Sequence, residues 1–323
     1  MFNSKNNKNN KNIAVIGGAN IDIVGRSKNK MQLETSNPGQ IRVGFGGVGC
    51  NIAHYLGLLN IPVTFFSAVG EDDEGKDLLD KLRHAGVDTH EIIQSKKDPT
   101  GKYVAIMDER GDMATAISDT EIMKRITPRY LIAKAGLIQE SQMVIIDTNL
   151  TPQAIHYITN LCHREGIPLI VDPVSVVKSR KLLGVLTKID YLTPNLSELS
   201  SLTGMDIVST GQCNKAIQFL RQKGIKNIIL TQGAQGVRIF SEEYPDGKLI
   251  HVRRRKAVNT TGAGDALLAG MAYGLYHQYN LLKSVLLGLT VSTLSVSSQD
   301  TVNAKISESI LKNHIRQWLL RSL

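Results

Sequence analysis

The stretch VNTTGAGDALLAGMAYGLYH, residues 258–277, carries the residue types best suited to chemistry. Gly262, Ala263 and Gly264 are small, and they precede helical apolar spacing at Ala266, Leu267, Gly270, Met271 and Leu275. A helix starting there aims several backbone N–H groups, at the positive end of its dipole, into one spot where an anion would sit. Asp265 falls in that first turn. It is either a capping or dipole-complementing carboxylate or, if it faces a cleft, a general base. Spacing alone leaves both readings open.

A second glycine-rich stretch, GFGGVGCNIA at 44–53, has the spacing G-x-G-x-x-G at Gly44, Gly46 and Gly49 and runs into a helical pattern. In a dinucleotide-binding fold that fingerprint follows the first strand, and an acidic residue lies about 20 residues further on. Glu71 and Asp72 would supply the acid. The first strand, however, lies in IAVIGGANID and ends in its own glycine turn well before Gly44, so the position argues against a dinucleotide.

The elements that must position these residues alternate along the chain. VTFFSAVG (63–70) is apolar and β-rich, and DEGKDLLDKLRHAG (73–86) has helical spacing with an acidic start and a terminal glycine. QMVIIDTN and IPLIVDPV read as short strands ending in Asp-containing turns, preceded by the helical patterns TPRYLIAKAGLIQE and TPQAIHYITNLCHREG. Repeated βα units imply an α/β fold with a mostly parallel central sheet flanked by helices. KYVAIMDERGDMATAI (102–117) breaks the rhythm: two alternating runs flank a turn at Asp108–Asp112, which predicts an antiparallel hairpin. With the segment around 21–44, this region (about 98–119) is expected to form a small β-lid on one main domain spanning 13–323.

A chain of 323 residues with 42% hydrophobic content can bury an extensive core. The first twelve residues, MFNSKNNKNNKN, cannot repay the entropy of ordering and are expected to be a disordered tail. The longest apolar stretch, LLKSVLLGLTVSTLSVSS from Leu281, is interrupted by Lys283 and by Ser and Thr, as suits a buried helix and not a membrane span. A cytoplasmic protein without membrane contact is expected. Cys50, Cys162 and Cys213 have neither disulfide nor zinc spacing. Of the net charge of +9, Lys5, Lys8 and Lys11 and the run Arg253, Arg254, Arg255, Lys256 account for seven charges, and aromatics total only 5%. Nucleic acid is therefore not an expected partner. The RRRK run reads as a solvated strand edge or a weak attraction for an anionic substrate.

NTTGAGDALLAG closely resembles the C-terminal signature of the ribokinase-like (PfkB) carbohydrate kinases, and GFGGVGCNIA resembles their N-terminal signature. The order and separation of the two also match, so the resemblance runs from Ile13 to the C-terminal helix. It implies a ribokinase-like fold and ATP-dependent phosphorylation of an alcohol. Asp265 would then be the base, with the N–H groups of Gly262, Ala263 and Gly264 stabilising the transferring phosphoryl group. Gly46 and Gly47 would let the backbone approach a sugar, and Asn51 would bond its hydroxyls. Asn20 and Asp22 resemble the first-strand sugar ligands of that family.

On the nucleotide side, YLTPNLSEL resembles an N-x-x-E motif at Asn195 and Glu198. Glu198 would organise Mg²⁺ through water, with helix capping by Asn195 as the alternative. LTQGAQG, after the strand IKNIIL, resembles a phosphate loop in which Thr231 and Gly233 touch ATP and Gly236 opens the next strand. Relatives that need a monovalent cation hold it partly through an aspartate at the position of Asn259; a neutral amide binds K⁺ less strongly, so only weak K⁺ dependence is expected. Cys50 stands where many relatives carry a basic residue, and packing is its expected role. A homodimer through the lid is a candidate assembly.

Within the family, SNPGQI (36–41) with SAVGEDDEG and VDPVS is most similar to the kinases of pseudouridine, acting on its 5′-hydroxyl. Ribokinase, inosine or adenosine kinase and 2-keto-3-deoxygluconate kinase are the alternatives inside the family. A non-catalytic nucleoside-binding protein and an NAD-dependent oxidoreductase are the alternatives outside it.

Overall fold

The computed structural model describes residues 11–252 and 258–320. Most of the proposed tail and the RRRK run therefore lie outside the described residues. In chain order the strands are β1 (Ile13–Ile16), β2 (Asn20–Ser27), β3 (Gly39–Gly46), β4 (Val63–Gly70), β5 (Val87–Asp88), β6 (Ile92–Ser95), β7 (Lys102–Met107), β8 (Met113–Asp119), β9 (Met143–Asp147), β10 (Leu169–Asp172), β11 (Tyr191–Leu192), β12 (Asn227–Thr231), β13 (Val237–Phe240) and β14 (Lys248–Ile250). The helices are α1 (Val48–Leu58), α2 (Asp73–His84), α3 (Pro128–Ala133), α4 (Ala135–Gln139), α5 (Pro152–Glu165), α6 (Val176–Ser179), α7 (Leu196–Thr203), α8 (Thr210–Gln222), α9 (Ala263–Tyr276), α10 (Leu281–Ser295) and α11 (Glu308–Leu320).

Strand residues alternate between two apolar layers, because successive side chains leave a strand on opposite faces. Ile13, Val15, Ile145, Ile170 and Ile229 pack with α1, α2, α9 and α10 on one face. Ala14, Ile16, Val144, Ile146, Val171 and Leu230 pack with α5, α7 and α8 on the other. Burial on both faces explains why these strands read as continuous apolar runs. The sheet order is β14-β13-β12-β11-β10-β9-β1-β4-β5, with β6 also on β4. It is parallel from β5 to β12 and antiparallel at β13 and β14.

A second, four-stranded sheet has the order β3-β2-β7-β8. Its β7–β8 hairpin turns at Asp108, whose carboxylate accepts bonds from the N–H groups of Arg110 and Asp112 at 2.9 Å each. The hairpin and the pairing with the 21–44 segment follow the sequence reading. The chain leaves the central sheet after Ile16 and enters the small one at Asn20. Asn20 and Asp22 therefore lie on the first strand of the small sheet, not on the first strand of the chain. The helical pattern TPRYLIAKAGLIQE is broken at Lys134 into α3 and α4. Leu281–Ser295 forms α10, packed along α9. Among the described residues no helix is long and apolar enough to cross a membrane.

Candidate active site

Gly262 caps α9 with φ 75°, the left-handed region that glycine enters without penalty. A Cβ there would also stand 2.7 Å from Cγ2 of Thr301. The Thr301 segment is fixed from α1: the Tyr55 hydroxyl contacts the Ser295 hydroxyl at 2.6 Å and donates to the Thr301 carbonyl at 2.9 Å. The loop that opens α9 is thus braced by a buried tyrosine of the N-terminal half. Gly264 meets nothing within 4 Å of where a Cβ would stand, so the turn faces open space.

Asp265 is the third residue of α9, and its side chain makes no capping bond; the carboxylate instead accepts from the Asn51 amide at 2.8 Å. It is 8% exposed. Burial, reinforced by the nearby Asp147 and Asp22 carboxylates and opposed by the Asn51 bond, raises its pKa to about 7. The capping alternative is not what the side chain does.

Across from it, Asn20 donates to Asp22 at 2.6 Å, and burial raises the Asp22 pKa to about 6. Glycine at position 46 is also demanded by the protein's own packing. A Cβ on Gly46 would lie 2.2 Å from the Asp22 carboxylate, and one on Gly47, at φ 93°, would lie 2.4 Å from the Gly18 carbonyl. The glycines seat Asp22 and let the two chain segments cross. Cys50 is buried and its pKa is pushed up to about 12, so the thiol stays protonated, as a packing residue does. Asp72, the acid of the dinucleotide alternative, caps α2 through Gly75 and takes two further bonds from Thr100.

On the other side of the sheet's C-terminal edge, Asn195 and Glu198 form a reciprocal capping box at the start of α7, each bond 2.9 Å. The capping alternative for Asn195 is therefore realised. Thr231 bridges to Asn195, and its N–H donates to the Pro194 carbonyl at 2.9 Å, which brings the LTQGAQG loop beside the box. Gly233 has φ 56° and open space around it, whereas a Cβ on Gly236 would meet the Ile250 carbonyl at 2.0 Å. Asn259 is engaged on both sides of its amide, accepting from the Thr261 N–H and donating to the Gln299 carbonyl, each at 3.0 Å.

Two carboxylates stand between the halves of the site without having been singled out. Asp147 ends β9 and takes the N–H groups of Gly18 and Gly49, at 2.8 Å each, on one oxygen, so it pins both glycine turns. Asp172 ends β10 beside it in register. Desolvation, then Asp265 and Glu198, drive the Asp172 pKa well above its ordinary value. In sequence each is one polar residue closing an apolar strand, which is equally the mark of a turn; the pairing of β9 with β10 makes them neighbours. Val174, next in the turn, is held at φ 63°, where a β-branched residue is strained by about 1–3 kcal/mol. Its N–H donates to Asp172 at 2.8 Å.

The arrangement joins a buried carboxylate of raised pKa to an N–H-rich helix start, at the end of a parallel sheet where ligands of such folds bind. Among the described residues no group of three or more His, Cys, Asp or Glu is placed to hold a metal ion by itself. Glu198, held by its capping box beside the loop of Thr231, and the open space at Gly233 fit a nucleotide carrying its own metal ion.

Comparisons with known proteins show the family. The chain is 32% identical over 295 residues to the pseudouridine kinase of Escherichia coli, covering 91% of this chain and 93% of that protein. It is 31% identical over 293 residues to an uncharacterised sugar kinase of the same organism, covering 91% and 80%. The structure of Arabidopsis thaliana ribokinase complexed with ribose and ATP superposes with a TM-score of 0.82 at 21% identity, over 94% of this chain and 98% of that one. Residues 10–308 match the pfkB family carbohydrate kinases, and the chain belongs to that family of ATP-dependent sugar and nucleoside kinases.

Proposed function

We propose that the protein transfers the γ-phosphoryl group of ATP to the 5′-hydroxyl of a nucleoside, with pseudouridine as its substrate. The observation that carries this reading is the Asp265–Asn51 pair at the N-terminus of α9. The choice of pseudouridine leans on the 32% identity to the E. coli enzyme.

In this reading Asn20 and Asp22 hold the ribose hydroxyls, since a carboxylate accepts from two vicinal donors. Asn51 orients Asp265, whose pKa of about 7 lets it take a proton at neutral pH. Asp265 removes the hydroxyl proton as the oxygen attacks, and the N–H groups of Gly262, Ala263 and Gly264 stabilise charge on the group in transit. Thr231, Gly233 and Gly236 shape the nucleotide loop, and Asn195 holds Glu198 toward the phosphates. Bound Mg²⁺ supplies charge neutralisation on those phosphates. The small sheet closes over the sugar and excludes water as a competing acceptor. Its exposed Ile41, Val43 and Ile117 give it an apolar outer face suited to a second copy of the chain.

An ADP-release assay with ATP and Mg²⁺ across pseudouridine, uridine, inosine, adenosine, ribose, fructose and 2-keto-3-deoxygluconate tests the reading. Pseudouridine should give the highest kcat/KM. A preference for a free sugar would replace the nucleoside assignment, and ligand binding without ADP would remove the kinase.

A further inference from the structure

Among the described residues the Asp147 side chain bonds to three backbone N–H groups, those of Gly18 and Gly49 on Oδ2 and that of Asn149 on Oδ1, each at 2.8 Å. It is 1% exposed, so it does not itself ligate an acceptor or a phosphate. What it holds are the segments that do. The two bonds on Oδ2 fall at matching places. Gly18 stands two residues before Asn20, where the chain enters β2, and Gly49 stands two residues before Asn51 in α1. Asn20 donates to Asp22, and Asn51 donates to Asp265. One buried oxygen therefore sits the same short step from each amide that orients a carboxylate of the site.

The contact between the segments is close by construction. The Cys50 N–H donates to the Gly18 carbonyl at 2.9 Å. A Cβ on Gly17 would lie 2.4 Å from Oδ2 of Asp147, and one on Gly49 would lie 2.8 Å from Cα of Gly17. Helix α1 also depends on this carboxylate for its start. Its N-cap, Gly47, makes no side-chain capping bond, and its first turn holds no acid. A helix leaves its first N–H groups unpaired and its N-terminus partly positive. Asp147, arriving from β9, supplies both the acceptor for Gly49 and the opposing charge. The same charge reaches the base, where it adds to burial, against the Asn51 bond, in holding Asp265 above its ordinary range. The groups that face Asp265 are Asn51, Cys50 and Tyr55 of α1, Asp22 of β2, Asp147 of β9 and Asp172 of β10.

We infer that Asp147 is a positioning residue for phosphoryl transfer: one oxygen ties the acceptor-binding strand to the helix that orients the base, and its charge acts on the base across that tie. The inference rests on Asp265 being the base. It assigns a role to a residue that touches neither the acceptor nor the nucleotide.

The test compares the unaltered protein with D147N and D147A. Asparagine can keep its oxygen on Gly18 and Gly49 while losing the charge and the Asn149 bond, whereas alanine loses all three bonds. Thermal melting establishes that each variant is folded at the assay temperature. ADP release is then measured from pH 5 to 9 with pseudouridine and with ribose, varying acceptor and ATP separately. In D147N the acid limb of kcat/KM, near pH 7 in the unaltered protein, should move down by at least about half a pH unit, because a negative charge near Asp265 is gone. In D147A the acceptor KM should rise and kcat fall, for a loss of roughly 100-fold in kcat/KM with KM for ATP within about twofold, since a displacement of about 1 Å can cost that much. D147N should recover most of that loss, to within roughly tenfold of the unaltered protein.

A purely structural role would lower the melting temperature and leave kcat, both KM values and the acid limb of the folded molecules unchanged. That result would overturn the inference, as would an acid limb in D147N that stays in place or moves up, or a loss in D147A carried by KM for ATP. Should D147A fail to fold, the acid limb of D147N decides. A flat pH profile in the unaltered protein, or near-normal turnover in D265N, would instead remove Asp265 as the base, which is a separate outcome.

Discussion

Replacing Asp265 by Asn separates the base from its scaffold, because the amide oxygen of the new side chain can still accept the 2.8 Å bond from Asn51. Two effects of opposite sign are expected. The variant cannot take a proton, and a positioned base contributes about 10²- to 10⁴-fold in rate, so kcat should fall by that factor while the KM values change little. Stability should move the other way. Asp265 holds its proton up to about pH 7 instead of the ordinary 3.8. Its folded-state pKa is raised, so its contribution to stability is fully present below pH 3.8 and is lost as pH rises through about 7. Above that pH the folded chain carries an ionisation cost of up to about 4 kcal/mol. Asn has no such cost, so the variant should melt higher at pH 8 and show a smaller gain at pH 5. The activity profile of the unaltered protein follows the same group, with kcat/KM rising tenfold per pH unit below about 7 and levelling above it. The assays are coupled ADP release between pH 5 and 9 and thermal melting at pH 5 and pH 8. Near-normal turnover in the variant, or a flat pH profile in the unaltered protein, would refute the reasoning.

Asp22→Asn should raise KM for the acceptor by roughly 10- to 100-fold with a smaller effect on kcat, since hydrogen bonds to a charged group are worth about 1.5–3 kcal/mol; initial rates at saturating ATP read it, and an unchanged KM would remove Asp22 from the sugar site. Lys102 and Asp119 face each other across the β7–β8 pair, so the hairpin between them can be excised and the ends rejoined. That variant should hydrolyse more ATP per acceptor phosphorylated, and an equal ratio would count against a water-excluding role. Exchanging Tris for KCl at constant ionic strength should change the rate less than tenfold, because both sides of the Asn259 amide are bonded to the chain.

How much was legible in the sequence varied with what held each residue. Asp265 and Gly262 could be read because a helix start and its anion-facing turn are local, set by residues a few positions apart. The small sheet was legible from the alternation of the hairpin and its Asp108 turn. The reason for Gly46 was not, since its neighbour Asp22 sits 24 positions earlier and meets it only through the pairing of Asn20 with Gly46 across β2 and β3. Asp147 and Asp172 were hidden for a similar reason. One acid at the end of an apolar strand looks like a turn residue until two such strands lie side by side in register.

The central claim is that the Asp265 carboxylate takes the proton of one hydroxyl while the amides of the α9 turn hold the phosphoryl group it attacks. The most direct measurement is mass-spectrometric and phosphorus-31 identification of the product formed from ATP, Mg²⁺ and pseudouridine. The account calls for pseudouridine carrying a single phosphate on its 5′-oxygen, formed in step with ADP and about 10²- to 10⁴-fold more slowly with D265N. ADP accompanied only by inorganic phosphate, a phosphate on another oxygen, or the same product formed by D265N at a near-normal rate would contradict it.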